Sequence, residues 1–430
     1  MNRQYLCIDF KSFFASVECV ERGLDPMTAR LVVADPERSE GTVCLAVSPE
    51  MKRLGVRNRC RFYEIPKSID FIQAPPRMKL YIEYSAEAYG VYLKYVSKDD
   101  IYVYSIDEAF LDVTDYLSMY KMTARELGEK IRQDVLRTTG IPAAFGVGTN
   151  LYLAKIALDI TAKHSSDFVG ELDEEKYRRE LWDHTPITDF WRIGAGTAKR
   201  LEQRGIYTMR EIANANVETL KSVFGVDYEI ALDHANGIEP VTIADIKAYK
   251  VQSHSLNSGQ VLPRDYSFKE AETIVKEMAD NLSLELFDSA LVTKSITLSV
   301  TYSGAERASV RGTERLEDYT NSAETLMSAA DRLLHKVMDK RGYIRKVNIV
   351  FNDVIEEGFA QTSLFSSEPI TEKERHKMQA VSSIKKKFGK NAILRGLDLK
   401  KEATMRERNA QIGGHKSGND GFIREEKDED

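Results

Sequence analysis

Three carboxylates stand where a folding chain does not readily leave them. Asp9 lies at the end of the short apolar run Gln4 to Phe10, and Asp107 and Glu108 interrupt the strand-forming stretch IYVYSIDEAFLDV, residues 101 to 113. An unpaired carboxylate in apolar surroundings is costly or shifts its pKa upward, so each of these acids needs a cation. Two kinds would serve. Hard divalent ions take oxygen ligands and suit acids that must also meet substrate phosphates. A lysine or arginine would serve instead as a salt-bridge partner, and spacing alone does not choose between them.

The elements that must position these acids follow from periodicity. Gln4 to Phe10 reads as a buried strand. A helix over Phe13 to Glu21, a strand pair at Leu31 to Ala34 and Thr42 to Val47, and a short basic helix from Pro49 to Leu54 come next. From Leu80 to Val96 the positions Leu80, Tyr84, Ala88, Val91, Tyr92 and Tyr95 recur at helical steps, and this aromatic stripe reads as core rather than as a base-stacking surface. Residues 101 to 113 read as one strand with Asp107 and Glu108 in its middle, where neighbouring acids face opposite sides unless something bends the strand. A helix (Thr123 to Thr138), a strand (Ala143 to Gly148) and a helix (Leu151 to Ala162) complete an α/β or α+β layer.

Residues 171 to 240 read as short helices between turns, and Val241 to Val251 as a connector. The texture then changes. Strand (Gln252 to Val261), helix (Phe268 to Phe287), strand (Val292 to Tyr302), strand (Arg307 to Leu316), helix (Ala323 to Asp339) and strand (Ile344 to Val354) make a split β-α-β-β-α-β layout. Beyond Glu356 the periodicity fades. Lys373 to Lys416 carries 13 Lys and Arg against 4 Asp and Glu, which reads as a flexible tail, helical near Ser382 to Phe388.

Composition bounds the rest. At 430 residues the chain exceeds a single core, which stops growing near roughly 250 to 300 residues, so a split into about three to five compact units is expected, in an α+β multidomain protein. With 42% apolar residues, disorder is excluded for most of the length. The 61 Lys and Arg against 67 Asp and Glu leave a net charge of -6, so any polyanion site must be a local patch. Cys7, Cys19, Cys44 and Cys60 lack CxxC spacing, which argues against zinc or a disulfide framework. No run approaches the ~18 apolar residues of a membrane span. The apolar stretch before Asp9 is too short for a signal-peptide core, which favours the cytosol.

Three blocks carry a resemblance. IDFKSFFASVE, YSIDEAFLDVT and GVGTNLYLAKIALDITAK resemble the signature blocks of Y-family, translesion DNA polymerases, and the ALDITAK spacing from Lys155 to Lys163 is similar to the UmuC-like branch. The resemblance covers residues 1 to about 356. It implies a right-hand-like polymerase: a catalytic palm at 1–10 and 78–170, small fingers at 11–77, a helical thumb at 171–240, a linker at 241–251, a split-sheet little finger at 252–356 and a tail at 357–430. It further implies a template-directed enzyme of DNA repair and damage tolerance that extends a primer 3'-hydroxyl with deoxynucleotides by two-metal phosphoryl transfer. A noncatalytic DNA-binding scaffold for repair partners is the alternative, against which the intact acids argue.

By the same resemblance Asp9, Asp107 and Glu108, with the backbone carbonyl of Phe10, would hold two Mg²⁺ ions. Lys11, Ser12, Phe13 and Phe14 would meet the triphosphate at a helix N-terminus, with Phe14 as a steric gate beneath the sugar, and Lys52 and Lys163 would contact the phosphates. Pro49 and Lys52 replace the Tyr and Arg of many relatives, and Arg53 is a candidate substitute for the missing fork. WRIGAGTAKRL, residues 191 to 201, fits a helix-hairpin-helix in which Gly194, Gly196, Lys199 and Arg200 would meet a DNA phosphate; Arg264, Lys294 and Arg307 are candidate DNA contacts of the little finger. Gln361-Thr362-Ser363-Leu364-Phe365 is similar to the peptide with which bacterial polymerases enter the sliding clamp, Gln361, Leu364 and Phe365 being its anchors. Primer-template DNA, deoxynucleoside triphosphates, the clamp and a UmuD-like accessory protein are the partners implied, in a cytoplasmic, nucleoid-associated setting.

Overall fold

A computed structural model of the chain describes residues 3–250, 254–304, 308–359 and 372–418. The chain forms two compact units, Met1–Tyr249 and Lys250–Asp430, rather than the three to five expected from length, because the short helices of residues 171 to 240 pack in the same unit as the first sheet. Among the described residues no helix is long and apolar enough to cross a membrane.

The first unit is built on strand β1 (Tyr5–Phe10). It turns sharply into helix α1 (Phe13–Val20) through Ser12, whose φ of 50° is left-handed and costs a non-glycine residue about 1 kcal/mol. A small module follows: β2 (Leu31–Val33), β3 (Ala46–Val47), α2 (Pro49–Arg53) and β4 (Ile72–Ala74). These three strands form a sheet in the order β3-β2-β4 over a core of Val32, Val47, Met51, Val56 and Ile65. All four cysteines are free and buried.

The chain returns through α3 (Met78–Tyr92), β5 (Ile101–Val103), β6 (Glu108–Asp112), α4 (Leu117–Tyr120), α5 (Ala124–Thr139), β7 (Ala143–Gly148), α6 (Leu151–Ile156) and β8 (Val169–Leu172). The sheet order is β5-β6-β1-β7-β8, with β1 central and antiparallel to both β6 and β7. Leu6 and Ile8 face the core that α3 and α5 complete, whereas Tyr5 and Cys7 face α6. A strand covered on both faces has to be apolar throughout, which is why β1 shows no alternation. Tyr84, Tyr92 and Tyr95 are buried, as core residues of that layer.

Residues 101 to 113 are not one strand. They form a hairpin, with Val103 opposite Ala109 and Ile101 opposite Leu111, and the amides of Tyr104 and Ser105 both donate to the Glu108 carbonyl. Asp107 therefore lies in the turn and Glu108 opens the second strand. The turn is closed by the Ser105 hydroxyl on the Asp107 carboxylate at 2.6 Å, a polar lock that carries no glycine or proline signal.

Helices α7 (Glu174–Glu180), α8 (Ala195–Glu202), α9 (Met209–Asn214), α10 (Val217–Phe224) and α11 (Tyr228–Ala235) pack around Leu201, Ile212 and Leu220. The expected linker 241–251 is instead partly folded. Thr242 and Asp245 cap α12 (Ile243–Ala248), and Ile243 is buried with Tyr5 and Phe110 against the β-sheet.

The second unit contains β9 (His254–Tyr266), α13 (Phe268–Asp288), β10 (Leu291–Tyr302), β11 (Ser309–Thr320), α14 (Ala323–Val337) and β12 (Ile344–Glu356). This is the β-α-β-β-α-β order read from the sequence. The sheet is antiparallel, β11-β10-β12-β9, with both helices on the face that carries Ile296, Leu298, Ile349 and Phe351.

The tail expected to be flexible is folded over 372–418. It forms α15 (Glu372–Phe388), α16 (Met405–Asn409) and the short strands β13 (Gln411–Ile412) and β14 (His415–Lys416). Several of its basic side chains have acidic partners within the unit: Arg395 on Asp280 at 2.7 Å, Lys386 on Asp288 at 3.1 Å and Arg375 on Glu357. Arg307 and the clamp peptide 361–365 lie outside the described residues.

Candidate active site

Asp9 and Glu108 are direct partners across the β1/β6 pair, and the Phe10 amide donates to the Asp107 carbonyl at 3.1 Å. The pairing register thus brings together, from a hundred residues apart, the acids singled out by composition. Two helix-borne lysines answer them. Lys155 lies 2.7 Å from one Glu108 oxygen and 2.8 Å from the other, and Lys163 lies 3.0 Å from Asp9. Asp159 stands between them, 3.0 Å from Lys155 and 2.8 Å from Lys163. The thiol of Cys7 donates to Glu108 from beneath, at 3.1 Å.

Burial and the neighbouring charges of Asp107 and Glu108 push the Asp9 carboxyl up to about 6, although Lys163 pulls the other way. Burial alone would lower Lys163 and Lys155, yet the acids around them hold both ammoniums above the ordinary lysine range. Sequence reasoning offered cations or salt bridges; without an ion, lysine salt bridges hold Glu108 and Asp9. Accordingly the oxygens of Asp9, Asp107 and Glu108 are not drawn within 4.8 Å of one another, whereas in the second unit Glu272, Asp331 and His335 are. That latter group is tied up internally, by Lys276 on Asp331 at 3.1 Å and His335 on Glu272 at 3.2 Å. The donors at β1 and β6 fit divalent ions all the same: they are all oxygen, burial and like charge make the charge on Asp9 costly, and two cations already stand against them.

Above the acids the site is cationic. Desolvation, Lys163 and Lys52 push Lys11 down to about 8, and Lys52 on α2 is likewise lowered by desolvation and by Lys163. Three ammoniums crowded to mutual cost around one opening are arranged for a polyanion. Lys11 rests over the Phe168 ring at 4.0 Å. Ser12 makes no side-chain cap on α1, so the first amides of that helix are left without that partner. Of the two phenylalanines, Phe13 is core, stacked on Phe10, while Phe14 is half-buried and stacked on Tyr81 at 4.5 Å. Arg53, the candidate substitute for a missing fork, instead donates Nε and Nη2 to Glu50 at 2.7 Å each.

In the helical region Gly194 caps α8 and Gly196 lies in its first turn. Neither has a positive φ, and a Cβ on either would meet nothing within 4 Å. Packing therefore does not require glycine at either position. Lys199 is exposed, but Arg200 is tethered to the Val223 carbonyl at 3.2 Å. In the second unit Arg264 is held by Glu270 at 2.6 Å and lies over Tyr266, and Lys294 lies over Tyr319. The sequence reading missed the cations on the helix-free sheet face: register places Arg311, Arg315 and Lys346 there, beside Ser295, Thr297, Ser299 and Asn348. Strand alternation from Ile296 and Leu298 outward was the available signal.

The impB/mucB/samB family profile matches residues 8–159, and its C-terminal domain profile matches 253–364. DNA polymerase IV 2 of Bacillus subtilis (strain 168) is 30% identical over 95% of this chain and 97% of its own. DNA polymerase IV 2 of Halalkalibacterium halodurans is 28% identical over 96% and 100%. The solved structure of a Y-family DNA polymerase chimera superposes with a TM-score of 0.64 at 24% identity, over 82% of this chain and 99% of that one, and shares its fold. The three sequence blocks, the paired acids and these matches agree: the chain belongs to the impB/mucB/samB family, the Y family of DNA polymerases.

Proposed function

We propose that this chain is a template-directed translesion polymerase of the UmuC-like branch, which extends a primer with deoxynucleotides in damage tolerance. The observation that carries the reading is the cross-strand pair Asp9 and Glu108, with Asp107 in the adjoining turn and lysine ammoniums standing against the pair. Asp9, Asp107, Glu108 and the Phe10 carbonyl would hold two Mg²⁺ ions, which supply an activated attacking oxygen and a stabilised pyrophosphate leaving group. Lys11, Lys52 and Lys163 bind the triphosphate as point charges, and the open amides of α1 orient it. Phe14, flat on Tyr81, closes the space under the sugar and excludes a 2'-hydroxyl.

The duplex is held without reading its sequence. Gly194, Gly196 and Lys199 present backbone and charge to a phosphate, and the helix-free sheet face of the second unit presents Arg311, Arg315 and Lys346 with a carpet of small polar side chains. The peptide Gln361 to Phe365 adds a tether to the sliding clamp on the strength of its sequence.

Primer extension on undamaged and abasic templates tests the reading, comparing the native chain with an Asp107→Ala, Glu108→Ala double variant. Extension by the native chain alone is the expected result. Tight primer-template binding by both with extension by neither, even with a clamp added, would replace it with the scaffold reading.

A further inference from the structure

Asp159 has no assigned role, yet it is the middle of a continuous charged row: Glu108, Lys155, Asp159, Lys163, Asp9, each step 3.0 Å or less. The row depends on an irregular helix. In an α-helix, residues at i, i+4 and i+8 drift by about 40° per step and leave a common face. Here α6 gives way to a π-turn over Ala157–Thr161 and then a 3-10 turn over Ala162–His164, and Asp159 stays within ion-pair reach of both Lys155 and Lys163 along it. Each ammonium is consequently shared between two carboxylates, one that belongs to the metal-binding set and one that does not.

We propose that Asp159 is a positioning residue: it retains the ammoniums of Lys155 and Lys163 when Glu108 and Asp9 turn to divalent cations, and it thereby sets both cation affinity and the grip of Lys163 on the triphosphate. The inference rests on the two-ion reading above. Without Asp159, Lys155 has only Glu108 to neutralise it and Lys163 only Asp9. Both lysines then compete with the incoming cation for the carboxylates it needs, and one negative charge beside the site is lost. Both effects act in the same direction.

The test uses the full chain and two readouts, Mn²⁺ binding in the absence of DNA by electron paramagnetic resonance, and the separate KM and kcat for nucleotide incorporation. Asp159→Asn is expected to weaken Mn²⁺ binding about 10-fold, the size of effect seen for residues that orient metal ligands. It is also expected to raise KM for nucleotide more than it lowers kcat, and Asp159→Glu to restore both. Should Asp159→Asn fail to fold, Asp159→Ser carries the same comparison. A lowered melting temperature with unchanged Mn²⁺ affinity and KM makes Asp159 a structural residue only and overturns the proposal. Native chain that shows no Mn²⁺ binding sensitive to Asp107→Ala, Glu108→Ala overturns the two-ion reading itself, and this inference with it; native binding matched by Asp159→Asn overturns the inference alone.

Discussion

Asp9 and Lys11 are two residues apart and titrate on opposite sides of neutrality, one raised to about 6 and the other lowered to about 8. On the proposed function the free enzyme needs the first ionised, to receive a cation, and the second protonated, to receive a triphosphate. At limiting Mg²⁺, kcat/KM for nucleotide should therefore be bell-shaped with limbs near those values. Saturating Mg²⁺ should shift the acid limb downward and leave the alkaline limb in place, while Lys11→Gln should abolish the alkaline limb. Asp9 also opposes folding. Its folded pKa lies above the unfolded value of about 3.9, so the ionised form is disfavoured by the fold: the penalty is absent below pH ~4, grows as pH rises to about 6 and is complete at neutrality, on the order of 3 kcal/mol. Metal-free Asp9→Asn should melt above the native chain at pH 7.5 and lose that advantage by pH 4, as calorimetry would record. The acids themselves were legible in the sequence because charge in an apolar strand is conspicuous. Their partners were not, since Lys155 and Lys163 sit on an ordinary-looking amphipathic stretch and only the three-dimensional register sets them against Glu108 and Asp9.

Elements explain how these residues meet. Strand β7 carries Gly146 and Gly148, and a Cβ on either would come within 2.2 Å of the backbone around Ala154. The backbone of α6 rests directly on the strand, which is what lets Lys155 reach Glu108 on the other side of β1. Gly146→Ala has no side chain to push aside, only backbone, so a loss of about 3 kcal/mol is expected, read as a fall of roughly 6 to 12 °C in melting temperature, with extension activity lost in proportion. A melting temperature within 2 °C of native would refute that close packing. The run Ala143 to Gly148 was readable to the residue, because a buried strand between two helical periods has sharp edges. The hairpin at 101–113 was not, because its turn is locked by Ser105 on Asp107 rather than by the glycine or asparagine that announces most tight turns.

Over the whole molecule the charge is unfavourable to DNA at -6, so affinity must come from local cations. Neutralising Arg311, Arg315 and Lys346 together should weaken primer-template binding on every sequence alike and reduce the slope of log affinity against log salt by about 3, whereas Arg264→Ala, already neutralised by Glu270, should change the slope little. The basic tail looks from composition like another such patch, but Arg375, Lys377, Lys386 and Arg395 are matched within its own unit. Composition could not reveal this, because the acids that match it lie as far back in the chain as Asp280, the partner of Arg395. The anchor is Glu277 of α13, buried and accepting the amides of Thr404 and Met405 at 3.1 Å each. A carboxylate can accept from both; a glutamine of the same size must turn an N–H toward one of them. Glu277→Gln should accordingly cost about 2 kcal/mol of tail docking. The 13 Lys and Arg of residues 373–416 would then be exposed to trypsin, which should remove the tail of the variant well before that of the native chain while the β-α-β-β-α-β body survives. Equal rates of trimming in the two proteins would mean that Glu277 does not hold the tail, and that its remaining contacts, the buried Met378 and Met405 among them, keep residues 372–418 on the unit.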